Sequence, residues 1–427
     1  MSNRNFYILI ILIANLIFGC RKSVTNNNTY FKVIQTNSSF AGLKTIQLTN
    51  GSYVIVMNEV TNRNRCFLIT INENGQELWR KDLGDDFNMV TDIQPLPNSN
   101  FVVSSIDDSS QMELGINAFS ASGQSIWRDS YVPNTDSFLI QSVKLGVTSN
   151  TIHLISTLSN DYYKKENKII NIKYSLDGMP ISKSTIATDT TTIYTSFQII
   201  ALNDQINITG YFRNHTYDSG YKLNDYYYGS FLMNYNEIGH LNWMNKMGYQ
   251  DNNQNLQFFL GESLCVDKSQ NLIQAGILST VDKNTNIPRL YNLRLLESGG
   301  FYRQNTGDVM VVKLNGATGD TINYQIFSLL NLSQRVEVNN TSDNGCILIA
   351  TDNKYLYNSY YPSKATLIKL DQNLNQQWQT TLNTPYPVAP FSVFQTPNGG
   401  YMIFSMVQSF NKTQDLAIFR TDARGNL

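Results

Sequence analysis

Two short patterns each occur seven times between residue 40 and the C-terminus, and together they restrict the chain to a closed repeat architecture. The first is a polar turn running into an alternating apolar strand; it begins at Asn50, Asn98, Ser149, Asn203, Ser269, Asp343 and Asn398. The second is an apolar strand that ends in a tight turn; it begins at Phe67, Gly115, Ile169, Phe231, Val309, Thr366 and Ala417. Its turn residues, Gly75, Gly123, Gly178, Gly239, Gly319, Asn375 and Gly425, are separated by 48, 55, 61, 80, 56 and 50 residues. Such steps suit one four-stranded blade per repeat, about 40 to 50 residues with loops of unequal length. No long segment shows a helical period. The chain is therefore expected to be all-β, a single seven-bladed β-propeller of four-stranded antiparallel blades, with blades starting near residues 41, 88, 138, 194, 258, 334 and 390.

A ring of blades must close, and the two ends of the chain supply the means. The seventh repeat stops at Leu427, where its fourth strand should begin, while Tyr30 to Gln35 alternates like a strand ahead of the first repeat. Residues 30 to 36 are thus expected to complete the last blade as a Velcro strand, removing an exposed edge. Strands within a blade are lettered a to d from the ring axis outward. The turn Gly lies between c and d, where positive φ is needed. Trp79, Trp127, Trp243 and Trp378 follow that turn and are placed to cover the joints between blades.

Ahead of the repeats stands a different kind of segment. Arg4 gives a positive start, residues 6 to 18 are apolar apart from Asn15, and the run ends in Ile17, Phe18, Gly19 and Cys20. It is too short for a full membrane span and suits an exported signal sequence. The last four residues resemble the bacterial lipobox, with Phe18 bulkier than usual at its place. That resemblance implies a signal peptide over 1–19, lipidation of Cys20, a polar tether over 20–29 and the propeller over 30–427, anchored at the outer membrane or cell surface. An ordinary secretory signal with an accidental Cys is the alternative.

With 32 Lys plus Arg against 33 Asp plus Glu and no long run of either sign, the chain lacks the basic stripe a nucleic-acid partner requires. Cys66, Cys265 and Cys346 are widely spaced in apolar runs and read as buried small hydrophobes, neither a disulfide framework nor a metal site. His153, His215 and His240 form no metal-ligand spacing. His153 alternates inside a strand and is expected in the core; His240 follows a turn Gly and is expected to be exposed. Acid pairs such as Asp85 with Asp86 and Asp107 with Asp108 read as loop or strand-end acids. No catalytic motif occurs, so no catalytic residue, metal or cofactor is assigned.

The Asx-rich turn, the Gly and the Trp three or four residues later are similar to the repeat of the quinoprotein-alcohol-dehydrogenase-like (PQQ-like) propellers, which include outer-membrane assembly lipoproteins. This resemblance spans nearly the whole mature chain and implies the fold. It does not imply the quinoprotein chemistry, because the adjacent cysteine pair of many such enzymes is absent and repeats three and five lack the Trp.

Tyrosine is the residue type with a functional pattern. Loops between strands b and c, at residues 159 to 167, 214 to 229, 281 to 306 and 353 to 363, hold 13 of the 25 tyrosines in about one seventh of the chain. Among them Tyr162, Tyr163, Tyr226, Tyr227, Tyr228, Tyr302, Tyr360 and Tyr361 are the candidate ligand-binding residues, on one face of blades three to six. A rigid ring with a hydrogen-bonding tip suits stacking on sugars and contacts with protein alike. The alternative is that these rings pack their own loops onto the propeller. The expectation is a non-catalytic envelope protein that binds or scaffolds an envelope protein or glycan, besides its membrane anchor. A propeller enzyme acting on a polysaccharide, or a quinoprotein-like oxidoreductase, is the alternative function.

Overall fold

The computed structural model describes residues 29–35, 40–59, 65–84, 89–107, 113–133, 138–160, 167–189, 192–202, 204–214, 227–236, 238–250, 256–281, 308–329, 335–352, 364–384, 388–408 and 414–427. They form seven antiparallel blades in a ring. The innermost strands begin at Phe40, Met89, Phe138, Thr192, Leu256, Arg335 and Val388, each within two residues of the sequence expectation. Blade three shows the plan, with neighbouring strands Phe138–Val147, Thr151–Asn160, Asn167–Ser175 and Pro180–Asp189.

Closure occurs as the sequence implied. Strand Tyr30–Ile34 pairs antiparallel with Gln414–Thr421, from Tyr30 opposite Arg420 to Ile34 opposite Leu416. Phe31 stacks on Phe419 with ring centroids 4.8 Å apart. Blades four and five are additionally bridged: Gly248 to Gln250, ending strand d of blade four, pair with Leu256 to Phe258, beginning strand a of blade five.

The core is a ring of seven layers, one in each joint, since each of the seven buried apolar clusters draws its residues from two adjacent blades. Sandwiching explains the sequence of the middle strands. Tyr53–Glu59 is buried at every position, because both of its faces meet a neighbouring blade, so strict alternation gives way to an apolar run. Strand d is outermost and keeps the half-exposed alternation, as in Glu77–Asp82.

The Trp and Gly of the repeat turn out to be partners across joints. Trp79 lies against Gly123 of the next blade, so closely that a β-carbon there would come within 3.0 Å of the indole; Trp243 meets Gly319 at 2.5 Å and Trp378 meets Gly425 at 2.9 Å on the same measure. Trp127 covers Gly178 likewise, and Tyr30 on the closing strand covers Gly75, so the seventh joint has its aromatic after all. Two residues beyond the aromatic, a side chain donates to the turn carbonyl: Lys32 to Gly75 at 2.9 Å, Lys81 to Gly123 at 2.9 Å and Asn245 to Gly319 at 3.1 Å. In blade six the left-handed residue is Leu374 (φ 65°) and not Asn375. Asn375 instead donates its N–H to Asp371 Oδ1, 2.8 Å away, closing the Asx turn.

Candidate functional site

Six of the seven innermost strands carry a bulge at a matching height, and a polar residue follows each: Lys44, Asp92, Ser142, Gln198, Ser263 and Ser392. A bulge releases backbone groups from the ladder, and a released N–H facing the ring axis needs an acceptor. The neighbouring blade provides it. Thr45 N donates to Ser392 Oγ (3.1 Å), Leu145 N to Asp92 Oδ2 (2.9 Å), Ser196 N to Ser142 Oγ (3.1 Å), Leu264 N to Gln198 Oε1 (2.7 Å) and Val338 N to Ser263 Oγ (3.1 Å). The Lys44–Asp92 ion pair at 2.7 Å and the bond from Asn339 Nδ2 to the Val393 carbonyl at 3.2 Å complete the circle. Every joint is thus tied by a polar contact around the axis.

This ring engages three acids among the described residues. Buried Asp92 accepts from Lys44, Leu145 N and Ile93 N. Glu262 accepts from Val336 N at 3.1 Å, while Glu337 accepts from Ser263 at 3.1 Å and from Arg335 at 3.0 Å. Beyond the ring, toward the turns between strands a and b, the channel opens into a cavity of about 750 Å³. Gln94 reaches across blade three to the Leu145 and Ile199 carbonyls, 3.1 and 3.4 Å away, and forms part of its wall. Nothing in the sequence reading had singled out this ring or cavity. A polar residue at one height of every innermost strand was the available signal, but it is visible only once bulges set the register.

The opposite end of the ring carries the b–c connections. Strand b has ten residues in blades three, four and five (Thr151–Asn160, Gln205–Asn214 and Leu272–Val281) and seven or eight in the other blades. All start at the a–b turn, so the extra two or three residues lift this end by roughly 7–10 Å. Tyr227 and Tyr228 open strand c of blade four (Tyr227–Asn236), opposite Asn214 and Arg213. Tyr162, Tyr163, Tyr226, Tyr302, Tyr360 and Tyr361 lie outside the described residues, as do Cys20 and His215.

The remaining candidates are structural. His153 is fully buried, with Nε2 3.0 Å from the Thr151 hydroxyl and Nδ1 3.2 Å from Asn171 Oδ1, while His240 is exposed. Cys66, Cys265 and Cys346 are buried and form no disulfide among the described residues, and burial pushes the Cys66 and Cys346 thiols up to about 12. Among the described residues no three His, Cys, Asp or Glu side chains gather as a metal site.

No protein-family model matches the sequence, and no curated protein matches it. Solved structures do share its shape. A polysaccharide lyase, Uly1, aligns over 90% of this chain and 90% of its own with 8% identity and a TM-score of 0.53. The α-L-arabinofuranosidase Arb93A of Fusarium graminearum aligns over 82% of this chain and all of its own, with 10% identity and a TM-score of 0.51. The β-propeller domain of the trilobed protease of Pyrococcus furiosus, described as having an open Velcro topology, covers 90% of this chain at 7% identity and a TM-score of 0.46. At such identities the likeness is one of fold. The chain is a seven-bladed β-propeller, here with a closed Velcro.

Proposed function

We propose that this protein is a lipid-anchored envelope protein that binds a partner, another envelope protein or a glycan, through the end of the ring bearing the b–c loops of blades three to six. The concentration of 13 of 25 tyrosines in those four loops carries the reading. The closing strand adds a direction to it. Tyr30 pairs with Arg420 at the end of strand c and covers Gly75 of a c–d turn, so the chain enters the ring at the a–b and c–d turn end. A lipid on Cys20, ten residues earlier, would then hold that end within about 35 Å of the bilayer, at 3.3–3.6 Å per residue. The tyrosine-bearing end would point away from the membrane, toward partners. Placement with the PQQ-like lipoprotein propellers belongs to the same proposal and draws on the Trp and Gly joint pattern.

Binding is favoured over catalysis because Asp92, Glu262 and Glu337, the acids in this ring among the described residues, are engaged in holding blades together. The names of two structural neighbours, a polysaccharide lyase and an α-L-arabinofuranosidase, give the enzymatic alternative its interest. Turnover of a polysaccharide by the purified chain would select it. For the binding reading, Cys20→Ala should release the protein from membranes. Wild-type protein should retain a partner from solubilised envelopes or on a glycan array. Joint replacement of Tyr226, Tyr227, Tyr228, Tyr360 and Tyr361 by Ser should abolish that retention in a protein that still melts cooperatively. Undiminished retention by this variant would contradict the assignment of the face.

A further inference from the structure

We infer that the cavity at the a–b turn end of the channel is a second binding site, selective for a neutral, hydroxyl-rich ligand such as a mono- or short oligosaccharide. Its volume of about 750 Å³ falls in the range of small-molecule sites. The argument rests on which halves of its side-chain amides are in use. Gln198 Oε1 must be the acceptor for Leu264 N, which can only donate, and Gln395 Oε1 likewise takes Ser342 N at 2.7 Å. Each therefore presents an Nε2 amide group without a partner among the described residues. Gln94 is oriented the other way: its Nε2 donates to two carbonyls, which leaves Oε1 as an unused acceptor. A wall of fixed donors and fixed acceptors, each held by its other half, suits groups that both donate and accept, as sugar hydroxyls do.

Two further observations narrow the class. The charges deep in the wall are compensated, Lys44 by Asp92 at 2.7 Å and Glu337 by Arg335 at 3.0 Å, while Lys268 sits exposed at the rim. An anion or cation entering the deep part of the cavity would lose hydration without finding an uncompensated opposite charge there. Phe394 is the one aromatic ring among the residues lining the cavity; it is half-buried, with its ring centroid 5.5 Å from that of Tyr53 and 6.1 Å from that of Phe404. A ring fixed in this way offers an apolar face to the C–H side of a pyranose, between amides that read its hydroxyls.

This site lies at the end of the ring opposite the tyrosine loops and does not depend on the lipid anchor, so it can be tested separately. The mature chain is applied to an array of neutral and acidic glycans, and the glycan retained best is titrated by calorimetry. Neutral glycans should be retained. Phe394→Leu, which keeps an apolar side chain in the packing, should weaken binding by about tenfold. Gln395→Glu, which keeps the acceptor for Ser342 N but loses the amide donor, should weaken it comparably, with melting temperature confirming the fold of both. The five-tyrosine variant should bind this glycan as the wild type does. Failure to retain any neutral glycan overturns the inference, and so does a preference for acidic glycans that Lys268→Ala removes. Wild-type affinity in both Phe394→Leu and Gln395→Glu, or loss confined to the tyrosine variant, overturns it as well.

Discussion

Asp92 shows how far a single side chain can be committed to this fold. It is 2% exposed and joins blade two to blade one through Lys44 and to blade three through Leu145 N. Asp92→Ala should destabilise the protein by about 3–5 kcal/mol, because a largely buried lysine and two inward N–H groups lose their partner. Chemical denaturation with two probes would measure it; a loss under 1 kcal/mol would mean the polar ring is incidental. The turn acids add a pH dependence. Burial acts upward on Asp343, but Lys369, the Thr341 hydroxyl and Gly345 N–H outweigh it and hold the carboxyl at about 2, against 3.8 ordinarily. Asp267, Asp371 and Asp422 are also held low: burial raises each, and hydrogen bonds to Asn side chains and backbone N–H groups, with Lys313 as well at Asp267, prevail. A depressed folded value means stability that is present above pH 4 and lost as pH falls toward 2. Melting temperature should decline over that window, and Asp343→Asn should make the decline shallower.

At the scale of elements, the sequence was legible wherever a residue type answers a local geometric demand. Blade starts, turn glycines and the closing strand were all readable, because positive φ selects Gly and a missing final strand at one end implies a spare strand at the other. The a-strand bulges were not readable. A bulge shifts register without changing composition, and the polar residue after it pairs across a joint with a residue some 50 positions away, as Lys44 does with Asp92. Nor was Leu374 foreseen at a left-handed position, since a buried Leu is held there by its apolar contacts in the joint between blades five and six. The Trp–Gly contact permits a paired test. Gly178→Ala should cost more than Gly51→Ala, by about 1–3 kcal/mol, because both positions have positive φ but only Gly178 meets Trp127, whereas Gly51 faces open space. Equal losses would show that backbone strain alone governs these turns.

At the scale of the molecule, the ring has two unlike ends. One receives the N-terminal strand and opens into the amide-lined cavity; the other is raised over blades three to five and bears the long b–c connections. The tyrosine cluster was legible as a compositional bias of the b–c loops, and most of its residues lie outside the described residues. The chemistry of the cavity was not legible, because its amides come from strands in separate blades and form no linear motif. The proposal that the raised end receives the partner is tested most directly by photo-crosslinking in intact cells. A photoreactive residue is placed either at Lys222, in the b–c connection of blade four, or at Asn74, in the c–d turn of blade one. Adducts to a protein or glycan from position 222, and none from position 74, are the predicted result; adducts formed only from position 74 would contradict the account.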